Sequence, residues 1–83
     1  MPYYFYVLQL ERDGFLYKGV AKNIGVRLAE HSSGKTKSLR HRIPFKLVYH
    51  EEFCSREEAL AREKWSKTLE GGRTIHKILA SKP

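Results

Sequence analysis

The chain has 83 residues, of which 41% are hydrophobic and 12% aromatic, and its formal net charge is +7. This length and composition predict one folded domain over residues 1–83 and exclude a disordered chain. No apolar run approaches the ~20 residues of a membrane-spanning helix, and the start of the chain lacks a secretory signal pattern. Cys54 is the only cysteine, which excludes an internal disulfide framework and a cysteine-based zinc site. We therefore expect a cytoplasmic protein that does not associate with membranes.

Residues 3–20 have the pattern of a β-hairpin. The segment YYFYVLQL is rich in aromatic and β-branched residues, ERDG supplies a turn, and FLYKGV returns as a second strand. Gly14 occupies the turn position that tolerates a positive φ. Within the second strand, Tyr17 lies two residues before Gly19.

A short amphipathic helix is predicted after the hairpin. Asn23 is a favourable N-cap for this helix, which is expected to end near residues 32–34. One face of the helix is formed by Ile24, Leu28 and His31.

The middle of the chain predicts a third strand. Residues 35–43, KTKSLRHRI, fit either a helical turn or a loop, which Pro44 ends. The segment FKLVYHEEF then alternates apolar and polar residues, as a half-buried strand does. Phe45, Leu47 and Tyr49 are expected to share one face of this strand.

Two helices are predicted in the last third of the chain. Ser55 and Glu58 form a capping box that begins a helix over residues 56–70, and Gly71-Gly72 is expected to end it. The segment TIHKILA has helical spacing and predicts a last short helix. Together the elements predict an α+β fold, in which a small three-stranded antiparallel sheet is flanked by helices.

The positive charge is concentrated in one stretch. Between Lys18 and Lys46 the chain carries eight lysine or arginine residues and one acid, Glu30, while the rest is electrically balanced. Such a local excess is typical of a surface that binds a polyanion, and nucleic acid is the first candidate. A solubilising face is the alternative, although such faces usually mix both signs. The expected nucleic-acid contacts are Lys18, Lys22, Lys35, Lys37, Arg40, Arg42 and Lys46.

Glu63 projects toward the inward side of the longer predicted helix. Burying a carboxylate without a partner is costly, so a cation or a hydrated metal ion is one explanation for it. The alternative is an ordinary surface glutamate paired with a basic neighbour, which stabilises a helix only weakly. The candidate neighbours are Arg62, Lys64 and Lys67.

The order of these elements and several of their motifs resemble the GIY-YIG nuclease domain. The segment YFYVLQLERDGFLYKGVAKNIGVRLAEHSSG is similar to the two-strand signature and first helix of that family. The segment PFKLVYHEEFCSREEALAREKWSK is similar to its third strand and metal-binding helix, so the resemblance covers residues 3–70. Gly19 matches the glycine of the second half-motif. The chain departs from the pattern at Tyr4 and Phe5, where the family has glycine and isoleucine, and at Lys18, where an apolar residue is usual.

The resemblance implies five site residues: Tyr6, Tyr17, Arg27, His31 and Glu63. The tyrosines match the two signature tyrosines, and Arg27 matches an arginine of the first helix. His31 matches a polar position one helical turn later, and Glu63 matches the glutamate that holds the metal ion.

The implied activity is metal-dependent hydrolysis of DNA phosphodiester bonds, in repair or recombination, with one Mg²⁺ or Mn²⁺ held by Glu63 and waters. Arg27 would donate a fork of hydrogen bonds to the phosphate that lysine cannot copy. Tyr6 or Tyr17 can act as the base only where nearby cations such as Lys18 and Arg27 favour phenolate, and His31 is the competing proton acceptor. The alternative function is a non-catalytic nucleic-acid-binding module that keeps the fold and the basic surface.

Overall fold

A computed structural model describes residues 2–33 and 45–81 of the chain. The elements are β1 (Tyr3–Leu10), β2 (Leu16–Ala21), α1 (Ile24–Ser32), β3 (Phe45–Phe53), α2 (Arg56–Ser66) and α3 (Leu69–Ala80). The three strands form one antiparallel sheet in the order β2-β1-β3, which confirms the predicted α+β fold. Within the described residues, every helix is too short or too polar to cross a membrane.

The β1–β2 hairpin closes over residues 11–15, as the sequence predicts. Gly14 has a φ of 75°, in the left-handed region that glycine adopts without a steric penalty. The turn is held by two backbone hydrogen bonds, in which the Leu10 N–H donates to the Phe15 carbonyl and the Gly14 N–H donates to the Leu10 carbonyl.

One face of the sheet is covered by α1, and we call it the α1 face. Successive side chains of a strand point to opposite faces, so alternate residues of β1 meet this helix. The buried members from β1 are Tyr6, Leu8 and Leu10. Ile24 and Leu28 pack against them, which confirms the predicted apolar face of the helix.

The opposite face of the sheet is covered by the two C-terminal helices, and we call it the α2–α3 face. Phe5 and Val7 of β1 are fully buried there together with Ile75 of α3. Trp65 of α2 and Leu79 of α3 pack around this cluster. The central strand is therefore covered on both faces, which explains its almost continuous apolar sequence.

The pairing of β3 with β1 contains a shift in register between Val7 and Leu8. Val7 pairs with Tyr49, whereas Leu8 pairs with Leu47. As a result, Phe45 and Leu47 pack on the α1 face, while Tyr49 packs on the α2–α3 face. The prediction that these three share one face is wrong, because the extra residue of a bulge interrupts the alternation.

The predicted N-cap at the start of α2 is confirmed, with Ser55 in that position. The Ser55 hydroxyl accepts from the Glu58 N–H at 3.2 Å and donates to the Glu58 carboxylate at 3.1 Å. The predicted end of this helix is wrong, because α2 ends at Ser66 rather than at residue 70.

Gly71 and Gly72 belong to the first turn of α3 and do not end α2. The Thr68 hydroxyl oxygen accepts from the Gly71 N–H at 3.0 Å and donates to the Trp65 carbonyl at 2.6 Å, so it joins the two helices and caps the second. A Cβ atom at Gly71 would collide with the Trp65 carbonyl oxygen. Glycine is therefore required here by close packing, a reason that the sequence pattern does not reveal.

Candidate active site

Tyr6 and Gly19 face each other across the β1–β2 pair, and the tyrosine ring lies directly over the glycine. A Cβ atom at Gly19 would lie 2.5 Å from the Tyr6 hydroxyl oxygen and 2.6 Å from Cζ, which is closer than real atoms approach. The absence of a side chain at Gly19 therefore creates the space in which the Tyr6 ring crosses β2. Tyr6 reaches 1% exposure as a result.

The buried Tyr6 hydroxyl lies between an arginine and a histidine of α1. Its oxygen is 3.0 Å from Nε2 of His31, and the Arg27 guanidinium lies close enough to act on it as a donor. A guanidinium can only donate, so the Tyr6 oxygen accepts from Arg27, and we assign its proton to the bond with His31. Burial raises the pKa of Tyr6, although the hydrogen bond from Arg27 opposes that rise. The phenol is thus held neutral with both its donor and its acceptor used.

His31 lies on the inner side of α1 and is fully buried. Burial lowers the pKa of His31, and the positive charge of Arg27 lowers it further. The neutral imidazole can therefore accept the Tyr6 proton at Nε2. The edge of its ring contacts Tyr17, with the ring centroids 5.3 Å apart at an interplanar angle of 72°. Phe45 closes the other side at 5.9 Å.

Arg27 and Tyr17 form the outer layer of the cluster. The Arg27 side chain is 40% exposed, and its Nη1 lies 3.6 Å from the Glu30 carboxylate, one helical turn away. Tyr17 is half-buried on β2, two residues before the glycine under Tyr6. Arg27 and Tyr17 can therefore contact a ligand that approaches from solvent. The buried side chains of Tyr6 and His31 beneath them hold them in position.

Glu63 lies on α2 with its side chain 22% exposed. Its Oε2 is 3.4 Å from Nζ of Lys67 one turn later, so the helix-neighbour alternative is realised in this structure. Burial is the largest cause of the raised pKa of Tyr6, and Arg27 opposes it. The charges of Tyr17 and Glu63 raise this pKa further. The Glu63 carboxylate therefore has an electrostatic effect on Tyr6, although α2 covers the opposite face of the sheet.

Similarity to known proteins decides the family. A family profile described as the GIY-YIG catalytic domain matches residues 2–74. This chain belongs to the GIY-YIG family. A UPF0213 protein of Bacillus licheniformis is 47% identical over 68 residues, which cover 81% of this chain and 69% of that protein. A UPF0213 protein of Lacticaseibacillus paracasei is 42% identical over 62 residues, covering 74% of this chain and 68% of that protein.

A solved structure gives the same result for the fold. The solution NMR structure of a UPF0213 protein from Bacillus halodurans matches with a TM-score of 0.58 at 33% sequence identity. The match covers 94% of this chain and 85% of that one. The likeness thus includes all three strands and the helices, not only the signature hairpin.

Four of the five GIY-YIG site residues expected from the sequence form one contact cluster. Tyr6, Tyr17, Arg27 and His31 meet on the α1 face, two from strands and two from the helix. Glu63 approaches from α2 and is linked to Tyr6 through its charge. The structure gives Tyr6 a raised pKa, which is the direction opposite to the one that a catalytic base requires.

The Glu63 carboxylate fits a hydrated divalent ion. Over residues 2–33 and 45–81, no three His, Cys, Asp or Glu side chains come together as a closed metal cluster. Mg²⁺ in phosphate-processing sites usually takes one or two carboxylates and completes its shell with waters and substrate phosphate oxygens. A single glutamate whose side chain is 22% exposed suits that requirement and does not suit a four-ligand structural zinc site.

Three of the expected nucleic-acid contacts lie within the described residues, and they are distributed over the sheet. Lys18 alternates with Tyr17 along β2 and therefore lies on the α2–α3 face, where burial lowers its pKa and the charge of Lys67 lowers it further. Lys18 thus does not supply a cation beside the Tyr17 hydroxyl. Lys22 and Lys46 are exposed near opposite ends of the sheet. The other expected contacts lie outside the described residues, namely Lys35, Lys37, Arg40 and Arg42.

His50 is a neighbour of the cluster that sequence reasoning missed. It pairs with Tyr6 across the β1–β3 ladder, and its ring centroid lies 6.3 Å from that of Tyr4. The position of Tyr4 could have been found from the sequence, because it precedes Tyr6 by two residues on one strand. No sequence signal gives the position of His50, since it depends on the register shift in β3.

Proposed function

We propose that this chain is an endonuclease that hydrolyses phosphodiester bonds in DNA, using one Mg²⁺ or Mn²⁺ at Glu63. The observation that supports it most is the two-layered cluster of Tyr6, Tyr17, Arg27 and His31, in a chain whose family profile is that of a catalytic domain. Work on branched or damaged DNA in repair or recombination is the context that the resemblance suggests.

In this proposal Arg27 and Tyr17 are the residues that touch the substrate. Arg27 keeps unshared N–H donors on its exposed side, so it can bind a phosphate oxygen with a fork that strengthens as negative charge develops there. The Tyr17 hydroxyl orients the attacking water or a phosphate oxygen. Its ring is held by the edge contact with His31, which limits its motion.

Tyr6 and His31 act as positioning residues beneath this layer. The Tyr6 oxygen accepts one hydrogen bond from Arg27, which fixes the guanidinium without using its other donors. His31 accepts the Tyr6 proton and keeps that oxygen correctly oriented. Both are buried, so they influence the substrate through Arg27 and Tyr17.

Glu63 supplies the metal-holding carboxylate. A bound divalent ion would neutralise phosphoryl charge and lower the pKa of a coordinated water. Lys67 occupies one carboxylate oxygen with a 60% exposed, flexible side chain, so the ammonium can leave when a divalent cation binds. Titration with Mn²⁺ should broaden NMR signals around Glu63, and the substitution Glu63→Gln should abolish that broadening.

Nicking of supercoiled plasmid with Mg²⁺ or Mn²⁺, with and without a chelator, tests the proposal. We expect cleavage that requires the metal and is lost in Glu63→Gln but kept in Glu57→Gln, an exposed glutamate on the same helix. Arg27→Ala should lower the cleavage rate about 10²- to 10³-fold with a much smaller loss of DNA affinity. Arg56→Ala, an exposed arginine on α2, is its control.

Tyr17→Phe separates cleavage from binding. It keeps the ring against His31 and deletes only the hydroxyl, so folding and DNA affinity should stay close to wild type while cleavage falls. A protein that binds DNA but never cuts supercoiled, nicked, branched or single-stranded substrates would instead be the non-catalytic binding module.

A further inference from the structure

A cavity of about 400 Å³ opens at one end of the α1 face. Its lining residues are Tyr4, Lys22, Asn23, Ile24, Leu47 and His50. None of the five candidate site residues lines this cavity. Its wall combines aromatic, apolar and cationic groups, a mixture that suits a flat aromatic ligand attached to a negative charge.

The aromatic part of the wall is formed by Tyr4 and His50. Their rings meet edge to face, with centroids 6.3 Å apart at an interplanar angle of 63°. Tyr4 is half-buried and His50 is exposed, so the pair leaves ring surface open to the cavity. Nucleobases stack on such side chains with little dependence on their identity, because every base has a π-face.

The cavity lies next to Arg27, because Lys22 and Asn23 line both this cavity and a second one whose wall includes Arg27. Tyr4 and Tyr6 point to the same face of β1 and are separated by about 7 Å along the strand. His50 pairs directly with Tyr6 on the neighbouring strand. A polynucleotide whose phosphate is held by Arg27 therefore has a neighbouring nucleotide within reach of this cavity.

Two charged side chains lie near the cavity, namely Lys22 in its wall and Glu52 opposite Tyr4. Lys22 is exposed, and its ammonium lies 5.7 Å from the centroid of the Tyr3 ring, at the end of the sheet. Glu52 is exposed and pairs with Tyr4 across the β1–β3 ladder, so it lies on the same face. A carboxylate repels phosphate but can accept from the amino group of cytosine or adenine.

We propose that Tyr4 and His50 form a stacking subsite for one unpaired nucleobase next to the phosphate held by Arg27. Bases inside a duplex are stacked on each other, so the occupant comes from a single strand, a flap or a flipped nucleotide. That the bound polynucleotide is DNA rests on the proposed function. It adds a preference for substrates with an unpaired base beside the scissile bond.

Stacking is measured in the Glu63→Gln background with chelator present, so that no cleavage occurs. The probe is a single-stranded oligonucleotide that carries one 2-aminopurine, whose fluorescence falls when it stacks on an aromatic ring. We expect quenching with a protein that retains Tyr4, and about 5- to 150-fold weaker single-strand binding in Tyr4→Ala. His50→Ala should lose part of the quenching, and binding of a blunt duplex should change little.

Matched controls keep the inference falsifiable. Phe15→Ala removes an aromatic ring that is 47% exposed at the hairpin, and His76→Ala removes an exposed histidine on α3. Tyr4→Phe keeps the ring, so it should bind and quench like the parent, and thermal unfolding checks that Tyr4→Ala is folded. The subsite is overturned if Tyr4→Ala behaves like Phe15→Ala, or if single-strand and duplex binding fall equally. A protein that stacks the base but never cuts DNA would support the stacking subsite and overturn the proposed nuclease function. Cleavage together with base stacking that does not depend on Tyr4 would support the nuclease function and overturn the subsite.

Discussion

Gly19 lies under the Tyr6 ring, and the space that it leaves is needed for the site to assemble. We expect Gly19→Ala to force the ring away from β2, to cost about 1–3 kcal/mol in the free energy of unfolding, and to impair cleavage. Urea unfolding and the nicking assay measure the two effects.

Gly25→Ala is the matched control for that substitution. Gly25 lies in the first turn of α1, and a Cβ atom there would meet only the Asn23 side chain, at an ordinary 3.4 Å. Because alanine is a better helix former, this variant should equal the parent or be up to about 1 kcal/mol more stable. Equal losses in the two variants would mean that the Tyr6 contact does not explain the glycine.

His31 gives the molecule a sensitivity to acid. Burial and the Arg27 charge lower its pKa in the folded protein, below the ordinary value of about 6.5 that it regains on unfolding. The contribution of neutral His31 to the free energy of unfolding is therefore complete above about pH 6.5. It is lost as the pH falls toward the pKa of the folded state, because the unfolded chain then binds the extra proton. We expect the free energy of unfolding to fall across this window.

Urea unfolding between pH 7.5 and pH 5 measures this effect. His50→Gln, at an exposed position on β3, should keep the acid loss, whereas His31→Gln should reduce it. NMR titration of the His31 ring in the parent protein gives a readout that does not depend on the variant folding. A titration midpoint at or above the ordinary histidine value would contradict the prediction.

A polar cluster attaches α2 to β3. Arg62 donates to both oxygens of Glu51 at 2.8 and 3.1 Å, and the Tyr49 hydroxyl donates to the same carboxylate at 2.7 Å. The guanidinium also stacks 3.9 Å from the centroid of the Trp65 ring. Burial alone would raise the pKa of Glu51, but the hydrogen bonds from Arg62 and Tyr49 lower it below its usual range.

Arg62→Met tests this attachment. The methionine keeps apolar contact with Trp65 but leaves the half-buried Glu51 carboxylate without its main partner, so we expect a loss of about 1–2 kcal/mol in the free energy of unfolding. Arg56→Met removes an exposed arginine from the first turn of the same helix and should cost much less. Chemical unfolding of both variants measures the two losses. Similar losses would show that the Arg62–Glu51 cluster stabilises the fold no more than an exposed charge does.

The sequence predicts those elements whose signals are local and fails where contacts are distant. The hairpin turn at Gly14 and the N-caps at Asn23 and Ser55 follow from neighbouring residues, and the structure has all three. The end of α2 was mispredicted because Gly71 serves the close contact with Trp65, which lies in the preceding helix.

The same distinction applies to the site. Family resemblance names its five residues, but neither spacing nor composition reveals that Tyr6 and His31 are buried while Arg27 remains open to solvent. Their layering follows from the pairing of Tyr6 with a glycine and from the packing of α1. The position of His50 depends on the shifted register of β3, which is a property of two strands together.

For the whole molecule, the net charge of +7 is concentrated between Lys18 and Lys46, yet the described lysines of that stretch are separated on the sheet. The four basic residues of the stretch that lie outside the described residues are therefore the ones to test as a group. A quadruple glutamine variant would neutralise Lys35, Lys37, Arg40 and Arg42. Its control is a second quadruple variant with the same net charge, at exposed positions of α2 and α3, namely Arg56, Lys64, Arg73 and Lys77.

Binding of DNA by both variants, measured without metal over a range of salt concentrations, separates local contacts from total charge. Each phosphate contact contributes about 0.7–0.9 to the slope of log affinity against log salt, because binding releases a condensed counterion. If the four residues contact phosphates, the first variant should lose about 3 from that slope. The control should lose affinity with little change in slope, because its charges lie away from the bound strand. Equal slopes in the two variants would mean that the polyanion is attracted by net charge alone, without a localised binding stretch.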